Sequence, residues 1–121
     1  MRTLKLLIAA LAVNSAGALA ADCAAPDAPS VPDGAASTME QMLEGQQAVK
    51  AFVAANLEYM NCLDPMIESA AEAAKADGAG DDAIAAVKEL EGQYNAAVTR
   101  EEEVAGAFNT AIRAYKAANP S

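Results

Sequence analysis

The sequence contains no histidine and no tryptophan. Without an imidazole there is no Ser-His or Cys-His nucleophile, and the commonest zinc ligand is missing. Cysteine occurs twice, at Cys23 and Cys62. They form no CxxC pair and have no neighbouring histidine or lysine, so thiol redox chemistry has no support. Aromatic residues make up 4% of the chain, which leaves few large side chains for a core. Cations are also few: 8 Lys and Arg stand against 17 Asp and Glu, for a net charge of −9. So acidic a chain repels nucleic acid and anionic lipid, and neither is expected as a partner. No segment reaches the roughly 20 consecutive apolar residues that cross a bilayer, so no membrane span is expected.

What is present begins with a three-part leader. Arg2 and Lys5 are basic, Leu6 to Val13 is an unbroken apolar run, and Ala18-Leu19-Ala20 is a small-x-small site. That order predicts a secretory signal peptide over residues 1–20, cleaved after Ala20, and hence a periplasmic or secreted product. Cleavage removes Arg2 and Lys5 but no acid, which takes the net charge from −9 to −11. The next residues, "LAADC" from Leu19 to Cys23, differ from a bacterial lipoprotein box by the presence of Asp22. Cys23 therefore has three possible fates: lipid anchor, free thiol or disulfide. Asp22 is a poor residue at a lipoprotein cleavage position, and exported compartments are oxidising. The reading favoured is a Cys23–Cys62 disulfide, which has no competing connectivity. A small alanine-rich chain needs such a staple, because its few large side chains bury little surface.

Residues 21–36 form a Pro-rich extended segment. Pro26, Pro29 and Pro32 recur every third residue, the period of polyproline II, so all three fall on one edge. "PDG" at 32–34 predicts a turn, with Gly34 free to take positive φ. Ser37 then opens a helix, with Ser37 and Glu40 as its capping box. The apolar positions Met39, Met42, Leu43, Val49, Phe52, Val53, Leu57, Met60, Leu63 and Ile67 step by threes and fours, as one buried stripe requires. Pro65 interrupts without breaking phase, so one kinked helix is expected over 38–76. "DGAGDD" at 77–82 is a turn with Asp81 or Asp82 as the next cap. A second helix is expected over 82–118, with its stripe at Ile84, Val87, Leu90, Tyr94, Ala97, Val98, Val104, Ala105, Phe108, Ala111, Ile112 and Tyr115. The expected fold is all-α: residues 37–121 make an antiparallel, coiled-coil-like helical hairpin. The Pro-rich segment is folded back on it and tied by the disulfide. The lengths agree, since Ser37 to Cys62 spans about 38 Å of helix and Cys23 to Ser37 about 43 Å of polyproline II less its turn.

In architecture alone this resembles the polyproline-on-helix arrangement of the pancreatic polypeptide family, through the proline spacing and "PDG". A second resemblance rests on "STMEQMLEGQQAVKAF", "YMNCLD" and "QYNAAVTREEEVAGAFNTAIRAYK". In these the chain is similar to an uncharacterised family of small exported proteobacterial helical proteins. That resemblance implies export and a helical fold, and carries no activity.

Candidate chemistry is thin. The carboxylates spread along helix faces, and the Glu101–Glu103 run reads as a solvated face. A calcium loop from Asp77, Asp81 and Asp82 lacks the alternating oxygen ligands that calcium needs. Met39, Met42, Met60 and Met66 are soft donors of the kind that hold copper(I), but they also suit gap-filling in a core. No catalytic residue, metal site or cofactor is expected. Gln46 and Asn56 on the first seam, and Glu91 and Glu101 on the second, are polar residues of the kind that set helix register. The expected function is a non-enzymatic interaction or structural module of the periplasm, partnered by a second copy of itself or by another envelope protein. The alternatives are a small metal- or ligand-binding periplasmic protein and a small envelope chaperone.

Overall fold

The computed structural model describes residues 23–121. The expected signal peptide and its cleavage site lie outside the described residues. Two helices account for most of the chain: α1, Met39–Lys75, and α2, Asp81–Ala118. The two pack on each other, and no strand occurs among the described residues.

Helix α1 starts one residue later than Ser37 would place it. Its N-cap is Thr38, whose hydroxyl accepts from the Gln41 amide at 3.1 Å, while the Gln41 side chain accepts from the Thr38 amide at 2.8 Å. The capping box is therefore Thr38–Gln41 and not Ser37–Glu40. The reason is competition: the Ser37 hydroxyl already donates to the Asp33 carbonyl within the preceding turn, and so is withdrawn from the helix end. Helix α1 runs through Pro65 without a break. Pro65 and Asn61 are both exposed, so water can solvate the Asn61 carbonyl, whose helical partner the proline ring removes.

At the other end of α1, Gly78 supplies the positive φ, +80°, that the turn requires. Helix α2 is capped by Gly80 with no side-chain bond. Asp81 and Asp82 lie inside its first turn instead of capping it, where their charges suit the positive end of the helix dipole.

Burial corrects the expected stripe. The core consists of two apolar clusters. Tyr59, Met60, Leu63 and Ala97 form one, and Met42, Phe108 and Ala111 form the other. Leu63 is wholly enclosed, which contributes on the order of 2–3 kcal/mol. Met39, Leu43, Val53, Leu57 and Ile84, all expected inside, are exposed by 37% or more. Phe52, Asn56 and Val104 fill the stretch between the clusters. Across the interface, contacts descend along α2 as they ascend along α1. Gly45 faces Phe108, Asn56 faces Ala97, and Tyr59 faces Gln93.

Gly34 does not use its freedom in the turn, since Gly78 alone among the described residues has positive φ. Its role is close approach. A Cβ at Gly34 would stand 1.8 Å from the Ala111 carbonyl oxygen, a backbone atom of α2 that cannot step aside. Gly34→Ala is thus expected to push the turn off α2 and cost about 1–3 kcal/mol. A chemical denaturation midpoint equal to that of the parent would refute this contact. Gly45 is similar: a Cβ there would meet the Pro32 ring at 2.8 Å.

Candidate functional site

The two helices leave two long grooves, one on either side of the plane they share. On one side, residues 23–36 touch the helices at Cys62, Gly45 and Ala111. Cys23 and Cys62 are joined by a disulfide, with Cα atoms 5.6 Å apart. Met66 Sδ packs 3.4 Å from Cys23 Sγ. This is a sulfur–sulfur contact, because the bridged cysteine has no proton to donate. Farther along, Pro32 sits on Gly45 and Gly34 on Ala111. Pro26, Pro29 and Pro32 are half-buried, whereas Ala24, Ala25, Asp27, Ala28 and Ser30 are exposed. The period-three edge is therefore the packed one. Small residues are needed here because a chain without regular hydrogen bonds of its own must lie close against both helices.

The second groove is open. At about 100° per residue, Met39, Leu43, Val53 and Leu57 share one face of α1, roughly 110° around from the buried ridge and away from Cys62 and Met66. On α2 the same side carries Val98 and Ile112, both half-buried, and exposed Ala105. Near the start of α1 the groove deepens into a cavity of about 360 Å³. Its walls include Met39, Met42, Leu43, Phe108, Ile112 and Tyr115. Gln46, Lys116 and Asn119 supply its polar rim, and no carboxylate lines it. At this end the groove is apolar and free of carboxylates, a surface suited to apolar contact.

The other candidate residues do not converge. Met39 and Met42 line the cavity, Met60 is in the core, and Met66 is against the disulfide. Glu101 is half-buried, and Glu102 and Glu103 are exposed. Among the described residues no three of Cys, Asp and Glu gather into a metal-holding group. Of the polar seam residues, Gln46 borders the cavity and Glu91 is exposed.

Asn56 is the one enclosed polar side chain among the described residues. Its Nδ2 donates to the Ala97 carbonyl at 3.0 Å, and its Oδ1 meets no donor among the described residues. The bond fixes the amide's orientation, since a carbonyl can only accept. Asn56 thereby selects the level at which the two helices meet.

In the sequence Met39, Leu43, Val53 and Leu57 were not separable from the core, because they share its three-and-four spacing. The chain matches no family model, no curated protein and no solved structure. In the described residues no helix is long and apolar enough to cross a membrane.

Proposed function

We propose that the chain is a non-enzymatic interaction module of the bacterial periplasm. It is an antiparallel helical hairpin, with its Pro-rich segment folded back into one groove and the other groove left for a protein partner. The descending contacts between α1 and α2 support the hairpin. The half-buried prolines, the Gly34 and Gly45 contacts and the disulfide support the folded-back segment. A disulfide is compatible with the oxidising compartment to which the leader would direct it, and kinship with small exported proteobacterial helical proteins belongs with the same reading.

The observation that carries the module reading is the exposed apolar face. Met39, Leu43 and Leu57 are each exposed by more than half, although the opposite groove is covered with care. A chain of this charge gains nothing in solubility from them, so they fit a surface that is covered in use.

The test is to place a photoreactive residue at Leu57 or at Asp27, irradiate cells, and take intact masses with and without reductant. The expected protein begins at Ala21 and is two hydrogens lighter before reduction. It forms a protein adduct from position 57 and not from 27. A product beginning at an acylated Cys23, or one without a protein adduct from position 57, would overturn the reading.

A further inference from the structure

We infer that the open groove is a self-association surface, on which two copies pair with their α1 helices antiparallel about a two-fold axis level with Ala48. This rests on the module reading and names its partner.

The first observation is the order of residues along the exposed face. Met39, Leu43, Gln46, Lys50, Val53 and Leu57 are separated by four, three, four, three and four residues. That is the a/d spacing of a heptad seam, and none of the six is buried. The strip is also self-complementary when reversed. A two-fold at residue 48 sets Met39 on Leu57, Leu43 on Val53 and Gln46 on Lys50 of the second copy, each pair occurring twice. Apolar residues meet apolar residues, and the two polar layers meet at the centre, where they disfavour other registers.

The second observation comes from α2 and is independent. Val98, Ala105 and Ile112 lie seven residues apart on the same side of the pair. A two-fold at Ala105 sets Val98 on Ile112 of the second copy. Within one chain, residue 45 faces 108 and residue 56 faces 97, a register in which residue 48 is level with residue 105. The centres read from the two helices therefore coincide. One axis serves both, which is the condition for an isologous four-helix bundle.

The cavity fits the same geometry. Met39, Met42, Leu43 and Gln46 stand at i, i+3, i+4 and i+7 around it, the four-residue hole that receives a knob in a coiled coil. Phe108 and Ile112 back it, and Val53 of the second copy stands opposite. Along α1 the seam itself carries no carboxylate. Glu40 and Glu58, 18 residues apart and so on one side of the helix, lie at its outer edge, where the two-fold brings them within two residues of each other's level, a repulsion at the rim that salt screens. Because α1 begins at Met39, the two helices overlap from 39 to 57, about 27 Å, and Asp64 lies beyond the overlap. An interface this short is at the small end of stable ones, so the dimer is expected to form reversibly with concentration.

The test is sedimentation equilibrium of the disulfide-bonded chain from micromolar to millimolar concentration. A reversible monomer–dimer equilibrium is expected. Ala105→Glu and Leu43→Glu change residues that are exposed in the single copy, so each should keep the parent's helical circular dichroism while weakening the dimer roughly a hundredfold. Gln46→Glu separates the orientations. In the antiparallel pair it faces Lys50 twice and should tighten association about two- to tenfold, whereas in a parallel pair it would face itself and weaken it. The inference fails if the chain stays monomeric throughout, if the dimer ignores Ala105→Glu, or if Gln46→Glu weakens it. A monomer that forms an adduct with a different envelope protein through position 57 would refute the dimer and leave the module reading standing.

Discussion

Replacing Cys23 and Cys62 together by serine is expected to lower the melting temperature by roughly 15–30 °C. The bridge joins residues 39 apart in sequence. Closing a loop of that length removes chain entropy from the unfolded state equivalent to about 4 kcal/mol. That is a large share of the stability of a domain of about 100 residues. The effect should exceed that of deleting any single apolar contact here, because the segment it anchors has little else to hold it. Residues 23–33 belong to no helix or strand, so their docking depends on side-chain packing, the Gly34–α2 approach and this one covalent bond. The double variant should therefore lose protection from proteolysis first in residues 24–36, before α1 and α2 unfold. Thermal melts followed by circular dichroism, with and without reductant on the parent, check this. Equal melting temperatures for oxidised and reduced parent would mean that the bridge stabilises nothing.

The same region shows where sequence reasoning succeeded and where it stopped. The two helices were legible to within about two residues at each end, because spacing by threes and fours persists over more than thirty positions. Pro65 did not mislead, since Met60, Leu63 and Ile67 keep phase across it. The period of three marks Pro26, Pro29 and Pro32, each of which is half-buried. Burial within the helices was not legible. The a/d strip from Met39 to Leu57 and the core ridge through Met42, Phe52, Met60 and Leu63 interleave on one helix with similar spacing. Periodicity reports that a face is apolar and leaves open what covers it. The signal was present in the regular four-three alternation of Met39, Leu43, Gln46, Lys50, Val53 and Leu57, which would have separated the two faces had it been counted apart from the core. The capping error is of another kind. Ser37 and Thr38 can both cap, and Glu40 and Gln41 can both reciprocate. The choice was made by Asp33, whose carbonyl captures Ser37. The role of Gly34 was not legible, because contact with Ala111 is a tertiary fact that no local turn rule contains.

Asn56→Asp is expected to destabilise the fold by about 3–5 kcal/mol at neutral pH. The substitution changes almost no volume, so the loss would be electrostatic. Asn56 is fully enclosed, and its Nδ2 donates to the Ala97 carbonyl. A carboxylate in its place points one oxygen at that carbonyl, where two acceptors repel. Its other oxygen stands where Oδ1 already lacks a donor among the described residues. Burial without a partner charge or donor disfavours the ionised form, so the folded-state pKa rises above the unfolded value of about 3.9. The sign follows from proton uptake. Between the two pKa values the folded state binds more protons than the unfolded one, so stability falls as pH rises through that window. Below it the protonated acid donates to Ala97 as the amide did, and the variant should approach the parent. Asn56→Leu, similar in volume with no polar atom to leave unpaired, should remain within about 1 kcal/mol of the parent at every pH. Urea denaturation of the three proteins at pH 4 and pH 7 measures both effects. A deficit for Asn56→Asp that does not grow with pH would show that the site is wet, and that Asn56 does not govern how the helices meet.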